Sequence, residues 1–312
     1  MRRITVLLLT VILMSAAFTS CQKVPITGRK QLKLLPSSIV NSMGAENYTS
    51  FLKENPAVTP PTVQSAEVSV VGDRVKAAVV KYMNDNGMAK RLAGYNWEFN
   101  TVNSTDVNAW CMPGGKVVVY TGILPLTKDD AGLAVVLGHE IAHAIAEHGN
   151  ERMSQELAVQ AAGIGLELYM QQKPEQTRQI FLAAFGVGSQ LGTLAYSRQH
   201  ELEADKLGLI FMAMAGYDPQ RALSFWQEMA SSGDSKTPEF LSTHPSDEHR
   251  IAEIRKFLPE AQKYYVAGGQ KGAVKSTTTT PSPSNTSKSA TTTPAGTGGK
   301  RTTGKVVIKP GK

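Results

Sequence analysis

The chain has 312 residues, 41% of them hydrophobic and 19% charged. That supplies one well-buried core, and the presence of only two cysteines excludes a disulfide-stapled scaffold. The net charge of +7 resides at one end: residues 268–312 hold seven Lys and one Arg without an acid, so the basic balance does not indicate a nucleic-acid-binding domain.

Residues 1–20 read as a lipoprotein signal peptide. Arg2 and Arg3 form a basic start, Ile4 to Phe18 is too short an apolar run for a comfortable membrane span, and Phe18-Thr-Ser-Cys21 is lipobox-like. Cys21 would carry the lipid and hold an exported protein to a membrane by acyl chains. Gln22 stands where Asp would favour inner-membrane retention, so the expected address is the outer membrane, facing the periplasm.

Residues 21–36 read as an irregular N-terminal arm, Ser37 to Lys53 as a helix, and Val63 to Leu92 as largely helical. Trp97 to Val102 and Lys116 to Tyr120 have the β-branched and aromatic content of strands, with Pro113-Gly-Gly115 as a turn. A helix is expected at about 128–148, opened by a capping box in Thr127-Lys-Asp-Asp130 and stopped by Gly149. Glu151 to Gln172 reads as another, and a long helical pattern runs from about Gln179 to Ala215. Asp218-Pro-Gln-Arg221 caps a helix carrying Phe225, Trp226 and Met229. Ser246 to about Phe257 is the last. Residues 37–267 thus form one α+β, mostly α domain with a small sheet. Residues 268–312, rich in Ser, Thr, Pro and Gly, cannot bury enough apolar surface to fold and read as a disordered tail.

The helix at 128–148 contains His139-Glu-Ile-Ala-His143, an HExxH pentapeptide. A spacing of four puts both histidines on one helical face, where two imidazoles can bind one zinc ion. Glu140 lies beside the first, where a carboxylate can take a proton from a water held there. The plain alternative is an amphipathic helix with two half-buried histidines. A catalytic zinc site needs a third protein ligand. The scheme with a third histidine six residues beyond His143 fails, because position 149 is Gly; His148 is one residue early and reads as a solvated helix-end residue. The best candidate is Glu201, in Ser197-Arg-Gln-His-Glu-Leu-Glu-Ala-Asp205. Glu201 and Asp205 share a face, so one can bind metal while the other orients a ligand imidazole. Glu203 points away and reads as solvated or structural.

HEIAHAIAEH, then SRQHELEAD, then Ser242-Thr-His-Pro-Ser-Asp-Glu-His-Arg250 together resemble the M-48 zinc metallopeptidases, which include the CAAX prenyl proteases, the HtpX-like proteases and the BepA/LoiP/Oma-type enzymes. Asn108-Ala-Trp-Cys-Met-Pro-Gly-Gly115 resembles the strand that the last group carries beside its active site, and Val24-Pro-Ile-Thr-Gly-Arg-Lys-Gln31 the start of its lipoprotein members. The resemblance covers roughly residues 24–260. It implies a zincin-like (gluzincin) domain with one zinc per chain, held by His139, His143 and Glu201. It further implies Glu140 as catalytic base, Asp205 as the residue orienting a ligand, and Asn108, Ala109, Pro113 and Gly114 on a substrate-binding strand. Cys111 is the least expected residue in that strand.

His244 and Arg250 are candidates for stabilising a tetrahedral oxyanion. Both could instead be structural, and His244 could occupy the open metal position and hold the enzyme latent. The expected activity is endoproteolysis of misfolded or unassembled envelope proteins. Unfolded proteins, the membrane at Cys21 and the outer-membrane assembly machinery are the expected partners, and nucleic acid is not. A chaperone or assembly factor that rarely cuts is the main alternative; a peptidoglycan amidase fits the motifs poorly.

Overall fold

The computed structural model describes residues 21–161, 165–185, 197–231, 240–241, 244 and 248–265. All belong to the first of two contact-defined units, residues 1–271. The expected signal peptide and basic tail lie outside the described residues, and of Cys21 only the backbone is described.

Strands β1 (Cys21–Lys23) and β2 (Lys30–Leu32) pair antiparallel, so the arm expected to be irregular opens as a hairpin. Helices α1 (Ser37–Glu54) and α2 (Val63–Asp85) follow, the second opened by a Thr62/Ser65 capping box. A three-stranded sheet comes next: β3 (Glu98–Val102), β4 (Ala109–Met112) and β5 (Lys116–Tyr120), in the order β3-β5-β4. β3 runs parallel to β5, and β4 antiparallel to it through the tight turn in which Gly114 and Gly115 hold positive φ. β4 is thereby a sheet edge among the described residues, and it packs against the HExxH helix.

After the short α3 (Leu124–Thr127), the HExxH helix α4 spans Asp130–Ile145. Its N-cap is Asp129, whose carboxylate accepts from Gly132 N at 2.6 Å. The expected Thr127 cap is not used, because Thr127 closes α3. Gly149 is not the stop either. The chain breaks at Glu147, in left-handed conformation (φ 57°), and Gly149 lies inside the next helix, α5 (His148–Gln160). α6 (Leu166–Gln172) and α7 (Pro174–Phe185) follow. The expected long helix from Gln179 is interrupted: among the described residues α7 runs to Phe185, and α8 begins at Arg198 and runs to Met214, capped by Ser197, which accepts from His200 N at 3.2 Å. α9 (Arg221–Ser231) and α10 (Glu248–Gln262) complete the described elements.

Two packing features position the functional residues. The first is a glycine crossing. A Cβ built on Gly208 of α8 would stand 3.0 Å from Gly138 C and His139 N of α4, and one built on Gly138 would stand 3.0 Å from Gly208 O. Without side chains at the crossing, the two backbones meet directly, with Val136, Leu137, Ile141, Leu207 and Phe211 buried around them. The second is the arm, which is strapped along α5. Leu34 N donates to Ser154 Oγ at 2.9 Å and Asn150 Nδ2 to Leu35 O at 3.1 Å. No described helix is long and apolar enough to cross a membrane.

Candidate metal centre

The glycine crossing brings one face of α4 against the first turn of α8. His139, His143, Glu201 and His244 each offer a donor atom there, all within 4.8 Å of one another and all buried. His139 Nε2 is 3.1 Å from His143 Nε2 and 3.3 Å from Glu201 Oε2; His143 Nε2 is 3.4 Å from Glu201 Oε1. His244 Nδ1 lies 3.2 Å from His139 Nε2 and 3.1 Å from Glu201 Oε1. Four donors at metal–ligand bonds of about 2.0–2.1 Å in a tetrahedron stand about 3.3 Å apart, so this set fits a zinc-sized divalent ion. Glu140 lies beside it, with Oε1 3.4 Å from His244 Nε2.

The charges are arranged for such an ion. Burial opposes ionisation of Glu201, but the fields of His244 and Arg250, together with the close imidazoles of His139 and His143, outweigh it and hold its pKa well below the usual carboxylate range. Burial drives the pKa of His143 well down, favouring the neutral form in which an imidazole can bind a metal. Glu140 goes the other way: burial, countered in part by His244, pushes it up to about 7.

His139 is oriented from behind. Its Nδ1 lies 3.0 Å from Asp205 Oδ1. Asp205 in turn accepts two hydrogen bonds from Arg250, Nε at 2.7 Å and one terminal nitrogen at 2.8 Å. The other terminal nitrogen lies 3.1 Å from Glu201 Oε2 and donates to the His244 carbonyl at 3.2 Å. The guanidinium is fully buried, with its carbon 3.5 Å from the Trp226 ring centroid. These contacts favour the structural alternative for Arg250 over that of oxyanion donor.

His148, expected to be solvated, is fully buried: its Nδ1 is 3.0 Å from His143 Nδ1 and its Nε2 is 3.2 Å from Glu203 Oε2. Glu203 falls on the structural side of its two readings, buried and ion-paired to Arg29 at 2.7 Å. His200 Nε2 lies 3.0 Å from Glu151 Oε2, and its ring stacks on His148 with centroids 4.5 Å apart. Arg29, Glu151 and His200 were not singled out in the sequence. The available signal was a repeated His-x-x-Glu, His148/Glu151 on α5 and His200/Glu203 on α8, whose members pair crosswise. Asn108, just before β4, and Ala109 and Cys111, on it, are buried, and Pro113 and Gly114 lie in the turn that follows. Burial drives the Cys111 thiol well up, making it a small core residue.

A convergent His₂Glu set with a carboxylate beside it, on two crossed helices, is the architecture of a zincin-like metallopeptidase. Residues 73–258 match the sequence model of peptidase family M48. The mitochondrial metalloendopeptidase OMA1 of Schizosaccharomyces pombe is 35% identical over 256 residues, covering 78% of this chain and 68% of the relative. The human mitochondrial metalloendopeptidase OMA1 is 31% identical over 257 residues, covering 79% and 47%. The beta-barrel assembly-enhancing protease of Escherichia coli is 27% identical over 188 residues, covering 57% and 38%. The chain belongs to peptidase family M48, and it is a metalloendopeptidase.

Proposed function

We infer that this chain is a zinc-dependent endopeptidase of the bacterial envelope, cleaving misfolded or unassembled proteins. The observation that carries the chemistry is the convergence of His139, His143, Glu201 and His244 within 4.8 Å beside Glu140. In this reading His139, His143 and Glu201 hold one zinc. The bound ion supplies Lewis acidity, polarising the scissile carbonyl and lowering the pKa of water. Glu140, buried and raised to about 7, takes the proton of the attacking water and returns it to the leaving amine. Asp205 and Arg250 fix His139 and Glu201 in place. β4, an edge of the sheet among the described residues and packed beside α4, binds substrate in extended form through its backbone, reading little of the side-chain sequence. That suits unfolded substrates.

The envelope address rests on the sequence of residues 1–21, with Cys21 as lipidation site and residues 268–312 as a basic tether. Two relatives are named as beta-barrel assembly-enhancing proteases, which supports outer-membrane proteins and their assembly machinery as partners.

The position of His244 favours a second feature. Its Nδ1 stands among the ligand atoms of the other three residues, the place of a fourth ligand. In this reading His244 is a latch that a substrate displaces. Casein cleavage by the full chain, with metal content measured on the same sample and beside Glu140→Gln, tests the whole reading. Cleavage by the parent alone, with about one zinc in both, is expected. Zinc in both without cleavage, relieved by His244→Ala, supports the latch. Assembly-promoting activity retained by Glu140→Gln would transfer the main role to chaperoning, and absence of zinc from the folded protein would sink the site.

A further inference from the structure

The arm that follows Cys21 reaches the metal centre through an unbroken line of hydrogen bonds. Arg29 grips two carboxylates at once. Its two terminal nitrogens donate to Glu151 at 2.8 and 2.7 Å, and its Nε donates to Glu203 Oε2 at 2.7 Å. The Thr27 hydroxyl donates to the other oxygen of Glu203 at 2.6 Å. Glu203 Oε2 lies 3.2 Å from His148 Nε2, and His148 Nδ1 lies 3.0 Å from His143 Nδ1. Both carboxylates come from inside the domain, one on α5 and one on α8, whereas the cation between them comes from the arm.

With both imidazoles neutral, this line has one assignment of protons that leaves His143 able to bind a metal. Glu203 accepts from Arg29 and Thr27 and turns Oε2 to His148 as well, so His148 carries its proton on Nε2. His148 Nδ1 is then an acceptor, and the Nδ1 of His143 must donate to it. That leaves the Nε2 lone pair of His143 directed at His139 and Glu201, where a metal ligand needs it. Were the proton of His148 on Nδ1 instead, it would face the proton of His143, and His143 would have to carry its proton on Nε2 and lose its donor atom.

We propose that Arg29 is a positioning residue of the metal centre, setting the tautomer and orientation of His143 through Glu203 and His148, so that the docked arm is a condition of full metal affinity. The proposal rests on the reading of His143 as a ligand. It makes Arg29 the counterpart, from the arm, of what Arg250 does for His139 through Asp205.

The test is the zinc dissociation constant of the full chain, measured by competition with a chromophoric chelator. The visible spectrum of the cobalt-substituted protein and the melting temperature of the metal-free protein accompany it. Glu203→Gln is expected to weaken zinc by about 10–100-fold and to alter the cobalt spectrum. Metal-free stability should fall by far less than that loss of affinity implies. Arg29→Lys keeps a cation but cannot span both carboxylates, and should weaken zinc about fivefold in the parent and hardly at all in Glu203→Gln. Unchanged zinc affinity in a folded Glu203→Gln protein overturns the proposal, and so does a loss of affinity fully matched by lost metal-free stability. If Glu203→Gln does not fold, Arg29→Lys decides alone: parental affinity and spectrum overturn the relay. A parent that binds no zinc, or binds it unaltered by His143→Ala, overturns the ligand assignment itself, and the relay with it.

Discussion

The two histidines of α4 are held from behind by two arrangements of one design. Behind His139 stands Asp205, and behind Asp205 stands Arg250. Behind His143 stand His148, then Glu203, then Arg29. The first arrangement is contributed by α8 and α10, and its guanidinium is 2% exposed. The second uses an arginine from the N-terminal arm, 17% exposed, and needs an extra imidazole to span the distance. The contrast is energetic. A buried ion pair broken on one side leaves an uncompensated charge in a low-dielectric interior, whereas a group at the edge can recover water. The His139 side is therefore rigid and integral to the fold, and the His143 side is the one that docking of the arm can influence.

Arg250→Ala is expected to have the largest effect. It strands Asp205 and Glu201 without their shared cation, at a cost of about 3–5 kcal/mol of folding free energy. Chemical denaturation of the metal-free protein would measure it, and a cost below about 1 kcal/mol would erase the distinction between the two sides.

Gly208→Val probes what both arrangements share. Its side chain would enter the backbone crossing of α4 and α8, and overpacking of that kind costs about 1–3 kcal/mol. Because the helices must separate, zinc affinity should fall as well. A variant of parental stability and affinity would show that the crossing can relax without moving the ligands.

Glu151→Gln is aimed at the arm side and should cost about 2 kcal/mol, the range of hydrogen bonds to charged groups. It also carries a pH signature. Burial alone would raise Glu151, but hydrogen bonds from Arg29 and His200 overcome it and bring the carboxyl down to about 2 from an ordinary 4.5. A depressed carboxylate stabilises the fold above its unfolded pKa, and that contribution fades as pH falls from about 4.5 toward 2. Urea melts across this window should show a shallower loss in Glu151→Gln than in the parent, while identical slopes would remove Glu151 from the pH dependence.

Ser197→Ala should have the smallest effect. It deletes the cap of α8 one turn before Glu201, at about 1 kcal/mol, with cleavage retained. Its thermal shift calibrates how much of the Glu201 position depends on local helix geometry rather than on Arg250.

The histidine pair of α4 and the Glu201/Asp205 face of α8 were legible because helical spacing is a local property, and the identity of a motif residue already states its chemistry. Strands β3 and β5 and the Pro113–Gly115 turn were legible for similar local reasons, whereas β4 was legible only through the family resemblance. Helix ends were less so. Thr127 and Asp129 both offer capping oxygens, and only the presence of α3 assigns Thr127 to its end. Gly149 resembles a stop, but the break falls at Glu147, whose left-handed backbone is accompanied by ion pairs to Lys33 and Arg91 from distant parts of the chain. His148 was misread as solvated for the same reason: one residue past a helical face looks like surface until another helix covers it.

What the sequence by itself determined is the peptidase family and the inventory of its chemistry: two imidazoles four apart, a carboxylate beside the first, and a second pair of carboxylates 58 residues after His143. Only the tertiary structure decided which charges meet. The Gly138–Gly208 approach, the placement of His244 among the donor atoms of His139, His143 and Glu201, and the insertion of Arg29 between Glu151 and Glu203 join residues 43 to 174 positions apart. Such contacts depend on how faces pack after helices form, and periodicity along the chain records which face is apolar but not which partner will cover it.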